Sequence, residues 1–342
     1  MITTFGEIML RIQPAESGER IRQAALFRIT PGGSESNVAI ALSNLGLHTT
    51  FVTALPNNEL AQSIMEHLWQ FGVDTQYIIQ EGERLGLYFT ETGIGPRNSF
   101  VVYDRAESAF SRATPEMFPL HEMMHKSSWF HFSGISPAVS ESVTEILMQA
   151  TAEPPCPYSV DLNYREKLWQ WVEHDKDAIR NVMTELCENA TMIAGNETDF
   201  QNIFGLKSAA SNKADAFADI AQQCFNLFPK TKFITISDRT AISATTNHWG
   251  GFLFVRDNPV FGFCGKEYTI DHILDRVGTG DSFVAGIIYG LVDNKQQDYQ
   301  QVIDFAVALS ALNHTTVGDA SRFSVADVLK TIESSGSGRI VR

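Results

Sequence analysis

Two glycines stand just ahead of an aspartate in Asp275-Arg276-Val277-Gly278-Thr279-Gly280-Asp281-Ser282-Phe283. An apolar, small-residue run follows, Val284-Ala285-Gly286-Ile287-Ile288-Tyr289-Gly290-Leu291, and it reads as a buried helix. This stretch constrains the chain more than any other. A glycine-rich turn that feeds a helix leaves backbone N–H groups unpaired at the positive end of the helix dipole. Such an end binds anions, and glycine lets a phosphate approach the backbone closely. Asp281 stands at the same helix start, where a carboxylate would repel an anion. A carboxylate kept there suggests a task, namely taking the proton from a hydroxyl that attacks the phosphate. The plainer alternative is that Asp281 only caps the helix of a βα turn.

The rest of the chain alternates strand and helix patterns. Ile2 to Leu10 reads as one strand, and residues 11–30 carry no helical period. A second glycine pair, in Pro31-Gly32-Gly33-Ser34-Glu35-Ser36-Asn37, opens a helix whose apolar positions are Val38, Ala41, Leu42 and Leu45, with Gly46 as its stop. Phe51 to Leu55 is a strand, and Leu60, Ile64, Leu68 and Phe71 form the next helix face, closed by Gly72. Residues 84–105 break the alternation. Leu87 to Thr90 and Ser99 to Tyr103 flank Gly93-Ile94-Gly95-Pro96-Arg97, the signal of a hairpin, as an inserted β lid would show. Strands then follow at 129–133, 158–162, 192–194 and 233–236, with helical patterns between them, antiparallel strands near 241–256, and helices at 282–291 and 299–314. Ser324 and Asp327 form a capping box for a last helix.

This alternation implies βαβ units and a mostly parallel sheet covered on both faces. Ligands in such sheets bind beyond the carboxyl ends of the strands. Polar clusters fall there: Asp161, Asn163 and Arg165 after one strand, Asn196 and Asp199 after another. No repeat or linker divides the chain, so residues 1–333 are expected to be one domain, with lid segments near 11–30 and 84–105 and a flexible tail at 334–342.

The formal net charge of −14 argues against nucleic acid or an anionic membrane as the main partner. No run is apolar enough to span a bilayer. The four cysteines are far apart and show no metal-knuckle spacing, which fits a reducing, cytoplasmic setting. No signal peptide is expected at an N-terminus that carries Glu7 and lacks a basic start. His121-Glu122-Met123-Met124-His125 fits the H-E-x-x-H pattern of zinc hydrolases. It sits just after Pro119 and just before a strand, with little room for a long helix, and reads as a coincidence on a polar helix. An anionic substrate would need local cations, and Arg105 and Arg165 are candidates, since a guanidinium grips a carboxylate or phosphate at two points. Asn196 and Asp199 offer oxygens that could order Mg2+ water, although Asn196 also suits a turn. No Walker A lysine and no protein-kinase H-R-D loop occurs.

Gly32-Gly33-x-x-x-Asn37 together with Asp275-x-x-Gly278-x-Gly280-Asp281 resembles the two signatures of the ribokinase-type (PfkB) carbohydrate kinases, and within them the 2-keto-3-deoxygluconate kinases. Supporting stretches are Gly86-Leu87-Tyr88-Phe89, Tyr103-Asp104-Arg105, His131-Phe132-Ser133-Gly134 and Asp161-Leu162-Asn163-Tyr164-Arg165. The resemblance implies a three-layer αβα sandwich with a mostly parallel central sheet and a small β-sheet lid. It implies an ATP-dependent sugar-acid kinase using Mg2+, with Asp281 as base and Gly278, Thr279 and Gly280 as anion hole. Gly33, Ser34, Asn37, Tyr88, Tyr103, Arg105, Arg165 and Asp319 would hold the sugar acid. Asn163, Asn196, Ser237, Arg239, Gly278 and Gly280 would meet the nucleotide. Asp199 would hold the metal through water, and Asp275 matches the position of a monovalent cation such as K+. Pairing of lids implies a homodimer or higher homo-oligomer.

Three positions depart from the family pattern, all on the nucleotide side. Ser237-Asp238-Arg239-Thr240-Ala241 replaces a Gly-x-x-Gly turn, Asp199 replaces a glutamate, and Val307 stands where many members place an asparagine. These leave two other readings, a fructokinase or other ketose kinase, and a sugar-binding regulator whose nucleotide side has decayed.

Overall fold

Burial with a period of two runs through the middle of the chain. Phe130, Phe132, Tyr158, Val160, Ile193, Ile234 and Ile236 enter one core, while Ile2, Trp129, Met192, Ala194 and Leu253 enter another. A strand whose two faces are both apolar must lie between two layers. The protein, a computed structural model describing residues 1–293 and 298–334, is built in that way.

In chain order the described residues begin with strands β1 (Ile2–Phe5), β2 (Met9–Pro14) and β3 (Phe27–Gly32), then α1 (Ser34–Asn44), β4 (Thr49–Leu55), α2 (Glu59–Gln70) and β5 (Ile78–Gln80). Next come β6 (Leu87–Glu91), β7 (Phe100–Asp104), α3 (Leu120–His125), β8 (Trp129–Ser133), α4 (Ile135–Val139), α5 (Glu141–Thr151), β9 (Tyr158–Asp161) and α6 (Lys176–Cys187). They are followed by β10 (Met192–Asn196), α7 (Glu197–Phe204), α8 (Lys213–Leu227), β11 (Phe233–Ala241), β12 (Thr246–Val255), β13 (Gly262–Cys264) and β14 (Tyr268–Asp271). The described part closes with α9 (Thr279–Asp293), α10 (Tyr299–Asn313) and α11 (Val325–Ser334).

Among these residues the large sheet runs β13-β12-β11-β10-β9-β8-β1-β4-β5, with β14 also on β12. From β11 to β5 every pairing is parallel, and β12, β13 and β14 add antiparallel partners at one end. Residues of α5 to α8 pack on one face, and those of α1, α9 and α10 on the other. A second sheet, β3-β2-β6-β7, is separate. Among the described residues no helix is long and apolar enough to cross a membrane. The cysteines are unpaired.

Three local expectations change. Ile2 to Leu10 is not one strand: the chain leaves the large sheet after Phe5, turns through Gly6, Glu7 and Ile8, and enters the small sheet at Met9. Residues 11–30 supply the rest of β2 and β3 as far as Thr30, a hairpin of alternating polar and apolar residues that a helical template could not detect. On α2 the inner face is Ala61, Ile64 and Leu68, while Leu60 is 51% exposed. The last helix does start in the expected box, with Ser324 N–H donating to Asp327 at 3.0 Å and Asp327 N–H to Ser324 Oγ at 3.3 Å. That helix runs to Ser334, and the tail expected to be flexible otherwise lies outside the described residues.

One buried carboxylate fixes α1 to the large sheet. Glu35 Oε1 accepts from Ser133 N–H at 2.9 Å, Ser133 Oγ at 2.7 Å and Ser136 Oγ at 2.9 Å. Burial raises its pKa, and these donors counter the rise. Glu35→Ala would leave three donors in a dry site without their acceptor. We expect a loss of about 3 kcal/mol in chemical denaturation. A change within experimental error would remove Glu35 as the pin.

Candidate active site

The two glycine-led helix starts meet. α1 begins after Gly33 and α9 begins at Thr279, and the two helices pack together. Gly33 is extended, but a Cβ there would lie 2.2 Å from the Glu7 carbonyl oxygen, so only glycine fits. Gly278 has φ +78°, and a Cβ would lie 1.6 Å from the Asp319 carbonyl oxygen. Beside Gly280, by contrast, a Cβ would meet nothing within 4 Å. The turn is held by its oxygens. Thr279 Oγ1 donates to Arg276 O at 3.0 Å, Ser282 Oγ to Gly278 O at 2.9 Å, and Ser310 Oγ to Thr279 O at 2.6 Å. The first N–H groups of a helix have no partner within it. Open space at Gly280 therefore borders an end that attracts negative charge.

Asp281 lies in the first turn of α9. Ser34 Oγ donates to its Oδ1 at 2.7 Å, and Asn37 Nδ2 donates to its Oδ2 at 2.7 Å. Residues more than 240 positions apart thus form one unit, the aspartate of the second motif gripped by the side chains of the first. It is more than a cap, because its oxygens are held by another helix. Burial pushes its pKa up to about 6, against the opposing pull of the Asn37 and Ser34 hydrogen bonds, with Asp319 adding to the rise and Arg165 reducing it. A carboxylate poised there can accept a proton at neutral pH.

Asn163 donates from Nδ2 to Ser34 Oγ at 3.2 Å and so joins this cluster. It holds φ +35°, a conformation asparagine tolerates better than most residues. Asp161 ends β9 and is buried. Burial, then the nearby charges of Asp199 and Asp281, raise its pKa well above the ordinary carboxylate range. Asp199 accepts from Asn196 N–H at 3.0 Å and Tyr164 N–H at 3.2 Å. Asn196 Oδ1 in return accepts from Asp199 N–H at 3.1 Å, so this pair caps α7. Arg165 is exposed and donates to Tyr164 O at 3.0 Å, and its charge lowers the pKa of Asp161, Asp199 and Asp281. It stands beside the acidic cluster.

The small sheet supplies another wall. Arg11, Tyr88 and Tyr103 lie in register on neighbouring strands. Tyr88 Oη donates to Asp319 Oδ2, and Arg11 reaches both Asp319 and Asp275. Arg105 is buried and donates from Nε to Glu7 Oε2 at 2.7 Å. Arg11 and Glu7 escaped the sequence reading. The available signal was charge within a strand pattern, since a buried charge must find a partner.

On the opposite side, Ser237 to Ala241 form no turn. They continue β11, paired with Gly251 to Asn247 of β12, and Lys213 binds Asp238 at 2.8 Å. Ser237 also lies beside Asn196 across the sheet. Arg239 is exposed, and its charge, after burial, lowers the pKa of Arg276. The positive charges of Arg239 and Arg276 thus oppose each other near the turn before α9. Val307 is fully buried, and a Cβ on Gly265 would come within 2.7 Å of it, so this position packs the core. The histidines of the zinc-like pattern lie on the six-residue α3, stack edge to face at 4.9 Å, and His121 Nε2 pairs with Glu153 O at 3.2 Å. Among the described residues no group of three side chains is arranged to hold a metal.

The Asp281 environment makes a kinetic prediction. Turnover should fall as pH drops through about 6, because protonated Asp281 accepts nothing. Asn37→Ala and Ser34→Ala remove bonds that hold the pKa down, so each should move this acid limb to higher pH. Asp281→Asn should lower kcat by about 100-fold or more with little change in substrate binding. A pH–rate profile indifferent to both neighbouring substitutions would count against the assignment.

The geometry has counterparts. The profile of the pfkB family carbohydrate kinases matches residues 1–325. The crystal structure of 2-dehydro-3-deoxygluconokinase from Thermotoga maritima matches with a TM-score of 0.90 at 38% identity, covering 97% of this chain and 99% of that one. The 2-dehydro-3-deoxygalactonokinase of Haloferax volcanii is 29% identical over 340 residues, 98% of each protein. Fructokinase-1 of Zea mays is 25% identical over 342 residues, 97% of this chain and 98% of its own length. With both glycine-led helix starts inside a match that spans nearly its whole length, the chain belongs to the pfkB family of carbohydrate kinases and has their ribokinase-like fold.

Proposed function

We propose that this kinase transfers the γ-phosphoryl group of ATP to the primary hydroxyl of 2-keto-3-deoxygluconate, giving 2-keto-3-deoxy-6-phosphogluconate. The observation that carries the chemistry is Asp281, held by Ser34 and Asn37 beside the open N-terminus of α9. Asp281 takes the hydroxyl proton, the oxygen bonds to the γ-phosphorus, and the bond to ADP breaks. N–H groups of Gly278, Thr279 and Gly280 meet the charge on the transferred group. Gly33, Ser34 and Asn37 orient the sugar hydroxyls, and Tyr88, Tyr103, Arg105 and Asp319 enclose the other end.

The choice of a sugar acid rests on Arg165 and on likeness to the two keto-deoxy sugar-acid kinases. An exposed guanidinium beside a buried acidic cluster is free to turn toward a substrate carboxylate. Asn163, Asn196, Ser237 and Arg239 face the nucleotide. Mg2+ fits beside Asp161 and Asp199, whose pKa values burial raises and whose mutual repulsion a cation would relieve. Asp199 would act there through water, and the ion would offset charge on the nucleotide phosphates. Unpaired cysteines fit a cytoplasmic setting.

A coupled ADP-release assay across 2-keto-3-deoxygluconate, gluconate, fructose and ribose tests the reading. Turnover selective for the keto-deoxy acid is expected. Arg165→Ala should lower kcat/KM for the acid by about 10- to 100-fold and affect a neutral ketose far less. Turnover confined to fructose would retain the kinase and favour the fructokinase alternative. Sugar binding without ATP binding would favour a regulator.

The outer face of the small sheet is apolar, with Ile29 58% and Val102 52% exposed beside Phe27 and Phe100. A second copy presents the same apolar patch, and pairing the two would remove these side chains from water. We therefore propose a homodimer paired there. Sedimentation should give a dimer, and Ile29→Asp with Val102→Asp should give a folded monomer. An unchanged dimer would place the interface elsewhere.

A further inference from the structure

The carboxylate expected to hold a monovalent cation already holds a charged side chain. Arg11 in β2 is 1% exposed. Its Nη1 donates to Asp319 Oδ1 and lies 2.8 Å from Asp275 Oδ2. Asp275 stands three residues before Gly278. Its Oδ1 accepts from Val277 N–H at 3.1 Å, and its Oδ2 also accepts from Gly318 N–H at 3.3 Å. The other oxygen of Asp319 accepts from Tyr88. All four carboxylate oxygens therefore face N–H or O–H donors.

A monovalent ion needs oxygens turned toward it, and donors aimed at those oxygens work against it. Two buried carboxylates side by side still need positive charge, because like charges held together in a dry setting are costly without an opposite charge. The guanidinium supplies that charge from within the chain. Burial opposes its own protonated form, but Asp319 and Asp275 outweigh that effect and raise its pKa. It also sets geometry. Asp275 holds Val277 and Gly318, and Gly278 lies directly against the Asp319 carbonyl. Fixing Asp275 against Asp319 therefore fixes the turn that carries the anion-binding N–H groups.

We propose that Arg11 is a built-in cation and a positioning residue of the phosphoryl site, doing at Asp275 what a monovalent ion would otherwise do. Turnover then needs no K+. Because Arg11 belongs to the small sheet and Asp275 to the turn before α9, the same contact ties the sheet bearing Tyr88 to the anion-binding turn. The inference rests on the family's kinase reaction and not on which sugar is phosphorylated.

The test compares KCl with choline chloride at equal ionic strength, which separates specific binding from screening. Two readouts are used, kcat with whichever sugar turns over and the melting temperature without substrates. The wild type should show less than about a twofold difference in kcat and no K+-specific rise in melting temperature. Arg11→Ala should lose about tenfold or more in kcat and regain part of it as K+ saturates the vacated site, with a matching rise in melting temperature. Arg11→Lys keeps the charge and should remain indifferent to K+. Strong K+ dependence of the wild type in either readout would overturn the proposal, as would an Arg11→Ala protein that turns over normally in choline. If Arg11→Ala fails to fold, the wild type and Arg11→Lys still decide. Should the sugar-acid reading be wrong, turnover with that acid fails while the melting comparison remains informative.

Discussion

Asp281 is placed where two requirements conflict. In the proposed reaction the start of α9 attracts a phosphoryl group, and a base held in the same turn deprotonates the incoming hydroxyl. An ionised carboxylate next to an anion is unfavourable, and a protonated one is useless as a base. The structure settles between these limits. Burial raises the pKa of Asp281 and the donors Asn37 and Ser34 lower it, leaving it near 6. This balance depends on α1 and α9 being packed with their N-termini together. That packing requires Gly33 to clear the chain at Glu7 and Gly278 to clear the loop at Asp319. The glycines matter for close approach as much as for phosphate access.

Charge in this acidic chain is sorted by depth. Glu35, Asp161, Asp199 and Asp281 are buried near the ends of the parallel strands, and each has its pKa raised by burial. Glu35 is satisfied internally by three donors and serves the fold. Asp199 is satisfied by two backbone N–H groups and caps a helix. Asp161 depends most on its surroundings, since Asp199 and Asp281 both oppose its ionisation and only Arg165 helps. A substrate that brings a cation with its phosphates would change the charge of Asp161 most. Part of the binding energy would then come from relieving repulsion already present.

Much of this was legible in the sequence because it is local. Glycine pairs before helices, alternation of strands with helices, and the hairpin at 87–103 each depend on residues close in the chain. What escaped depends on partners far apart. Arg11 looks like an ordinary strand residue until its neighbour is known to be Tyr88 and its target Asp275. Glu7 lies inside an apolar stretch, and nothing local marks the break between β1 and β2. Ser237 to Ala241 replace a glycine-bearing turn of the family pattern, and without those glycines the segment continues as a strand. Asn163 illustrates the same limit: its place after β9 was readable, but its contact with Ser34 needed the packing of α1 against the strand ends.

The small sheet is joined to the body near the site by buried charge. Arg11 binds Asp275 and Asp319, and Arg105 binds Glu7, which sits in the link between β1 and β2. An apolar contact would tolerate sliding, whereas buried ion pairs hold a register because separation leaves charges unpaired in a dry setting. The two pairs differ in consequence. Arg11 has two carboxylates and every oxygen of both is occupied, so it has no reason to move. Arg105 has one carboxylate, and Glu7 Oε1 has no hydrogen-bond partner. In the proposed reaction an anionic substrate would compete with Glu7 for Arg105 and leave that carboxylate less well paired. Glu7 would then set a threshold that a substrate carboxylate can cross and a neutral hydroxyl crosses less readily. Selectivity for an acid would come from this internal competition as well as from Arg165.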